Sequence, residues 1–87
     1  MSVELSNVAS SASSVEVLAA KPARRGAAIY NDSTAILYVT FGDSTASTTN
    51  FTRQMASETY LEIPSTFTGA IQGIWAAANG FARVTEW

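Results

Sequence analysis

Short runs in which apolar and polar residues alternate constrain the fold of this chain more than any other feature. Residues 59–63 and 81–87 alternate in this way, and residues 35–41 are apolar on both faces. Turn-forming residues separate the runs about every 8–12 residues, and no segment has a helical period with caps. The pattern predicts a single all-β domain, an antiparallel β-sandwich or small barrel of about six or seven short strands.

Two connections contain residues typical of tight turns. Residues 31–34, Asn-Asp-Ser-Thr, separate two runs rich in β-branched and aromatic residues, which predicts a β-hairpin. Residues 78–80, Ala-Asn-Gly, favour positive φ angles and predict a second hairpin before the last run. A polar loop is expected over residues 42–50, and a short strand over residues 51–53. Because residues 35–41 are apolar on both faces, we expect them to form a central strand, covered by the second sheet and by a partner or loop.

The domain organisation follows from the length and from the first residues. A chain of 87 residues has room for one domain. Residues 1–14 are rich in Ser and Ala without clear periodicity, which predicts a flexible arm ahead of a β-sandwich domain over residues 15–87. The start lacks the basic and apolar regions of a signal peptide, and no apolar run reaches the roughly 20 residues of a membrane span. We therefore expect synthesis in the cytoplasm and no membrane partner.

Composition narrows the class of function. The chain contains no Cys and no His, which leaves out disulfides, thiolate metal sites and the commonest general base. Oligomerisation then remains as the usual way to stabilise so small a domain. Charged residues make up 14% of the chain, against about 25% in ordinary soluble domains, which suits an exterior covered by neighbours or, alternatively, a neutral, hydroxyl-rich secreted β-protein. The net charge of −2 argues against nucleic acid as a partner.

Catalytic arrangements find little support in the sequence. Without His, no Ser can form a Ser–His triad. Glu58 and Glu62 are close enough in sequence to be paired carboxylates, but solvated strand and turn positions explain them better. Gly73, inside a strand, is expected to leave space for an aromatic neighbour or to mark a bulge. The sequence predicts a non-enzymatic protein that needs no cofactor and no metal.

Interaction is assigned instead to the basic pair and to some of the aromatic residues. Arg24 and Arg25 are either an anchor to an acidic groove of a partner, through the planar guanidinium group, or a solvated start of a strand. Most aromatic side chains are expected in the core, whereas Trp87 either closes the sandwich or inserts into a neighbour. The candidate partner-interface residues are Arg24, Arg25, Tyr60, Phe67, Trp75, Phe81 and Trp87.

Several segments also resemble known proteins. The run I-Y-N-D-S-T-A at residues 29–35, G-I-W at residues 73–75 and A-R-V-T-E at residues 82–86 are similar to segments of small proteins encoded among tailed-phage structural genes. The resemblance covers about residues 24 to 87. It implies a virion component, either a capsid decoration (cement) protein or an adaptor at the neck or tail. It is a fold-level signature and carries no functional residue over.

Three hypotheses follow. In the first, the protein is a capsid decoration protein in the virion, a homotrimer that binds across major capsid protein subunits. It stabilises the head through several weak contacts. Residues 1–14 then become ordered on the coat protein, and exposed strands add to a sheet of a partner. In the second, it is a neck, collar or tail-fibre adaptor module present in few copies. In the third, it is a carbohydrate-binding module of the host-recognition apparatus, with Trp75 or Tyr60 stacked on sugar rings.

Overall fold

The computed structural model describes residues 3–87, and residues 1 and 2 lie outside the described part. Eight short strands account for its regular structure, and residues 3–87 contain no helix. The all-β class is confirmed, with eight strands in place of the six or seven expected. The strands are β1 (Glu4–Ala9), β2 (Val15–Leu18), β3 (Ala27–Asp32), β4 (Leu37–Phe41), β5 (Arg53–Met55), β6 (Tyr60–Ile63), β7 (Ile71–Trp75) and β8 (Phe81–Glu86).

The strands form two four-stranded antiparallel sheets. Sheet A has the order β1-β8-β3-β6, and sheet B has the order β2-β7-β4-β5. Strands that follow one another in the chain lie in different sheets, with the exception of β4 and β5. This arrangement of eight strands in two sheets is that of a jelly roll, one of the architectures in which two antiparallel sheets enclose a common core.

Both predicted hairpins are wrong, because the chain crosses between the sheets at these turns. β3 pairs with β6 and β8, whereas β4 pairs with β5 and β7. At the second turn, β7 belongs to sheet B and β8 to sheet A. The same turn residues occur in hairpins and in connections that cross between sheets. They determine only the local reversal of the chain, whereas the strand with which each segment pairs depends on distant parts of the chain. The one pair of consecutive strands that forms a hairpin is β4–β5, joined by the loop of residues 42–52.

A fully buried asparagine holds the crossover from β3 to β4. The amide Nδ2 of Asn31 donates to the carbonyl oxygens of Ala35 at 2.9 Å and Met55 at 3.1 Å. Its Oδ1 accepts from Ser33 Oγ at 2.7 Å and from Trp75 Nε1 at 3.3 Å. A side chain at the end of sheet A therefore satisfies polar groups of the β3–β4 crossover, β5 and β7, because backbone groups in this dry region need partners.

The hydrophobic core lies between the two sheets. The inward residues of each strand alternate with outward ones, and the central strand β4 contributes Leu37 and Val39, both fully buried. The largest buried apolar side chains are those of Trp75, Ile29, Leu37, Met55 and Ile71. Trp75 thus belongs to the core, where its indole N–H finds the partner that a buried tryptophan needs.

Within the described residues, positions 4–9 are a strand of the domain and not the expected arm. β1 pairs with β8 along its whole length, from Glu4 opposite Glu86 to Ala9 opposite Phe81. The strand lies at the edge of sheet A, and its one apolar residue packed against the core is Val8. The alternation is weak in the sequence because an edge strand of this kind buries so few side chains.

Gly73 provides space for aliphatic side chains and not for an aromatic one. A Cβ at this position would lie 2.7 Å from Val17 Cγ2 and 3.1 Å from Leu37 Cδ1. The register of β2 against β7 shifts between Glu16 and Leu18. The bulge is therefore in β2, at Val17, and not in β7, the strand that contains Gly73. Because of this bulge, Val17 and Leu18 are both buried although they are adjacent in sequence.

We expect Gly80→Ala to destabilise the protein by about 2 kcal/mol or more. Gly80 has a φ of 73°, and a Cβ there would overlap the carbonyl oxygen of Asp32 and lie 2.8 Å from Ser33 Cα. Urea unfolding measures the effect. Gly42→Ala is the matched control, since Gly42 also has a positive φ, of 109°, with no atom within 4 Å of the added Cβ. Equal losses in the two variants would contradict the steric explanation.

Candidate interaction surface

The two sheets differ in what covers their outer sides. On sheet B, the loop of residues 42–52 lies against the outer side, where the ring of Phe51 packs on Tyr38 with centroids 5.0 Å apart. The same loop reaches the residues before β2, because Ala46 N donates to Ser14 Oγ at 2.9 Å, and Ala46 is buried. On the second side of β4, Tyr38 is therefore covered by a loop of the chain itself.

On sheet A, the outer side carries large exposed side chains, and we call it the aromatic face. It is defined by Tyr30, Tyr60, Phe81 and Arg83, together with Leu5 on the edge strand β1. The residues that alternate with Tyr30, Tyr60, Phe81 and Arg83 point into the core. Leu5 lies opposite Thr85, which is on the same side of β8 as Arg83. Leu5 is 78% exposed, Tyr60 60% and Phe81 39%, and Tyr30 lies directly opposite Tyr60 on the neighbouring strand. Exposed aromatic residues grouped on one face are typical of binding surfaces, so the aromatic face is the candidate interaction surface.

An ion pair orients the arginine of the aromatic face. Arg83 Nε donates to Asp32 Oδ2 at 2.8 Å, and its Cζ lies 4.5 Å from the centroid of the Phe81 ring. The carboxylate and the ring hold the guanidinium group in place from two sides. Its two Nη groups have no acceptor among residues 3–87, so they can donate to a carbonyl or carboxylate of a partner.

Trp87 extends this outer side at the other end of sheet A. Its backbone N donates to the carbonyl oxygen of Gly26 at 3.0 Å, and its carbonyl oxygen accepts from the backbone N of Arg25 at 2.7 Å. A Cβ on Gly26 would lie 2.8 Å from Trp87 Cε2, so the indole lies flat against the glycine and is half-buried. Trp87 therefore covers the end of the sheet while one side of its ring stays in contact with solvent.

Arg24 is a buried structural residue and does not face a partner. Its guanidinium group donates to the carbonyl oxygens of Ala19 at 3.1 Å, Phe67 at 3.1 Å and Gly69 at 2.8 Å. It also lies 3.4 Å from Glu86 Oε2, and its side chain has no exposed surface. It thereby joins the end of β2, the β6–β7 loop and β8. The fork of donors explains why arginine occupies this position.

The remaining predicted residues divide between core and surface. Trp75 is buried, and Phe67 stacks on Phe41 with centroids 4.9 Å apart, against the core. Tyr60 and Phe81 are exposed on the aromatic face, and Arg25 is exposed beside Trp87. Of the seven, Tyr60 and Phe81 lie on the aromatic face, and Trp87 lies on the same outer side at the other end of sheet A.

Leu5, Tyr30 and Arg83 were not among the residues predicted for an interface. The alternation Phe81, Arg83, Thr85 in the last strand was the available signal for Arg83, because it places the arginine on the same side as an aromatic residue. The sequence contains no comparable pattern that predicts the exposure of Leu5 or the pairing of Tyr30 with Tyr60 across neighbouring strands. Their proximity depends on which strands are neighbours.

A cluster of charges fastens the edge strand β1. Lys21 Nζ lies 2.6 Å from Glu4 Oε1 and 3.2 Å from Glu86 Oε1, and it lines a shallow hollow of about 250 Å³ with Arg25 and Trp87. The hydrogen bond from Lys21 lowers the pKa of Glu4 below its usual value of 4.5. The hydrogen bonds to Glu4 and then Glu86 raise the pKa of Lys21 above 10.5.

The attachment of β1 should therefore depend on pH in a defined sense. Because the pKa of Glu4 is lowered by folding, its contribution is present above pH 4.5 and is lost as the pH falls through the folded-state pKa. Because the pKa of Lys21 is raised, its contribution is present below pH 10.5 and is lost as the pH rises through the folded-state pKa. An NMR titration of the Glu4 carboxyl should return its pKa to about 4.5 in Lys21→Gln. An unchanged pKa in that variant would show that the ion pair does not form in solution.

The described residues were also compared with the requirements of a metal site and of a membrane span. Within residues 3–87, no three His, Cys, Asp or Glu side chains lie close enough together to hold a metal ion. No helix in the described part of the chain is long and apolar enough to cross a membrane. The protein-family models contain no match to this sequence, and neither a curated protein nor a solved structure matches it significantly. The fold and the aromatic face are thus the observations on which a function can be built.

Proposed function

We propose that this chain is a non-enzymatic structural protein of a virus particle, which attaches to the major capsid protein as a decoration (cement) protein. The observation that supports it most is the exposed aromatic face of sheet A. The jelly-roll order of the strands agrees with this proposal, because the architecture occurs in viral capsid domains. That agreement is an analogy of fold, since lectins and cupins share the architecture, so the weight rests on the surface.

The composition of the aromatic face is that of a protein-binding surface. Aromatic residues and arginine are enriched where proteins meet, whereas lysine and glutamate are depleted. Tyr30, Tyr60, Phe81 and Arg83 belong to the first group, and the outward residues of the four strands include one glutamate, Glu62, and no lysine. These side chains project from a paired sheet, so little ordering of the backbone accompanies binding, which favours affinity.

Such a surface suits attachment in many copies. Each copy contacts the shell through a small interface of modest affinity, and copies linked to one another bind at high effective concentration. The contacts then bridge neighbouring coat-protein subunits and oppose their separation. The location of the protein under this proposal is the outside of the virion, after synthesis in the host cytoplasm.

The copy number in purified virus particles tests this role. Quantitative mass spectrometry of particles should find this protein in a simple ratio to the major capsid protein, as the symmetry of a decorated shell requires. About a dozen copies or fewer per particle would move the protein to the neck, collar or tail fibre. Absence from particles would reject a virion role.

We expect the double variant Tyr60→Ser/Phe81→Ser to bind capsids at least about tenfold more weakly than the unaltered protein, because each interface aromatic typically contributes more than about 1 kcal/mol. Co-sedimentation with undecorated capsids measures the binding. Phe51→Ser is the control, since Phe51 packs on the outer side of sheet B. Circular dichroism checks that all variants remain folded. Equal binding by the double variant would remove the aromatic face from the interaction.

Carbohydrate binding is a second candidate, favoured by one observation. Tyr60 is exposed beside Tyr30, with the ion pair of Arg83 and Asp32 on the same outer side, and sugar rings stack on such aromatic side chains. Trp75 takes no part in it, because it is buried. Addition of host-surface glycans to isotope-labelled protein should then shift the NMR signals of Tyr60 and Arg83, whereas no shift at millimolar glycan would reject this function.

A further inference from the structure

The two sheets have four edge strands, and three of them are poorly suited to pairing with another strand. β5 has only three residues and begins with Arg53, β2 is interrupted by its bulge, and β6 has four residues and is followed by Pro64. Shortness, bulges, charges and proline all hinder the addition of a further strand. β1 has six residues in unbroken register with β8 and contains no proline. Its one charged residue is Glu4, at the end of the strand.

The hydrogen-bonding groups of β1 alternate between β8 and the free edge. Ser10 N donates to the carbonyl oxygen of Gly80, which lies opposite it in the register of these two strands. In an antiparallel ladder every second residue bonds to the same neighbour. The backbone N–H and C=O groups of Leu5, Asn7 and Ala9 therefore point away from β8, to the open edge of sheet A.

We propose that two copies of this protein pair antiparallel along β1, about a two-fold axis at Asn7. Leu5 of each copy then lies opposite Ala9 of the other, and the two Asn7 residues face each other. The outward N–H and C=O groups of all three residues find partners across the axis, as an isologous interface requires. The two sheets A join into one sheet of eight strands. This inference does not depend on the virion role.

The side chains of β1 are compatible with this occupant. The two Glu4 residues lie at opposite ends of the pair, each facing Ser10 of the second copy, so no like charges oppose one another. Leu5, 78% exposed in the single chain, gains an apolar neighbour in Ala9. The aromatic faces of the two copies become continuous across the axis, which doubles the surface available to a partner. Under this proposal the assembly is a dimer, whereas the expectation from the sequence is a trimer.

Sedimentation equilibrium over a range of protein concentrations tests the pairing. The unaltered protein should approach twice the mass of the chain as its concentration rises. Asn7→Pro removes two hydrogen bonds across the axis and none within the single chain, so its association should weaken by about ten- to a hundredfold. Proline is tolerated at such an edge position. Asn7→Ala keeps the N–H group and should dimerise as the unaltered protein does.

Cysteine cross-linking tests the register, because the chain has no cysteine of its own. Under oxidation Asn7→Cys should form a disulfide-linked dimer, since residues paired across the axis have Cα atoms about 5.5 Å apart, within the range of a disulfide. Leu5→Cys is the control and should cross-link much more slowly, because the two copies of residue 5 lie about four residues apart along the strands. Equal cross-linking rates for the two variants would overturn the proposal. So would a trimer, a monomer at all concentrations, or an Asn7→Pro variant that dimerises normally. Pairing of β1 with a strand of another protein, in place of a second copy, would also overturn it.

Discussion

Arg24→Met is expected to lower the free energy of unfolding by about 3–5 kcal/mol, one of the two largest losses predicted for a single substitution in this protein. The change removes the donors to the carbonyl oxygens of Ala19, Phe67 and Gly69. These oxygens are partly buried and would lose their donor, at about 1–3 kcal/mol each where water does not replace it. A domain of this kind is stabilised by about 0.05–0.15 kcal/mol per residue, so the loss is a large fraction of its total stability. Urea or thermal unfolding followed by circular dichroism measures the loss.

Two further variants separate the geometry of Arg24 from its charge. Arg24→Lys keeps the positive charge but replaces the planar fork with a point donor, so it should recover only part of the loss. Arg25→Met removes a neighbouring charge whose side chain is exposed, and it should change stability by less than about 0.5 kcal/mol. If Arg24→Met behaved like Arg25→Met, the buried network of Arg24 would not contribute to the fold.

Asn31→Leu is expected to lower the free energy of unfolding by a similar amount, about 3–5 kcal/mol. Leucine branches at the same atom and has the same number of side-chain heavy atoms, so most of the loss comes from polar groups left without partners. The carbonyl oxygens of Ala35 and Met55 lose a donor, and the indole N–H of Trp75 loses its acceptor. All of these groups lie where the chain crosses from sheet A to sheet B, so local opening there should increase, as amide hydrogen exchange would detect.

Asn31→Asp distinguishes lost hydrogen bonds from a changed shape. An ionised aspartate accepts hydrogen bonds but donates none, so it would face the carbonyl oxygens of Ala35 and Met55 with a buried negative charge. The folded state then raises the pKa of this carboxyl, and the variant should gain stability as the pH falls. Asn50→Asp is the control, because Asn50 lies exposed in the β4–β5 loop. The absence of a pH-dependent difference between the two variants would contradict the role given to the Asn31 amide.

The candidate surface was only partly predictable from the sequence. Aromatic residues could be identified as either core or interface, but the sequence could not assign Trp75 to the first and Tyr60 to the second. Both belong to alternating strands, and the difference is which side of the strand faces the other sheet. Tyr60 alternates with the buried Leu61, whereas Trp75 alternates with the half-buried Ile74. Arg24 illustrates the same point, because the carbonyl oxygens that surround it come from segments far away in the chain.

The sequence by itself determined the all-β class, the single domain and the approximate positions of most strands, because the period of two and the turn residues act over a few neighbouring positions. It also located the two chain reversals approximately, since the turns predicted at residues 31–34 and 78–80 span residues 33–36 and 76–80 in the structure. Only the tertiary structure decided that these turns cross between sheets and that residues 4–9 join as an edge strand. It also decided that Tyr60 and Phe81 stay exposed on sheet A while a loop packs on Tyr38 of sheet B. The physical reason is that strand partners are chosen by backbone hydrogen bonds and side-chain packing between distant segments, which a local pattern does not specify.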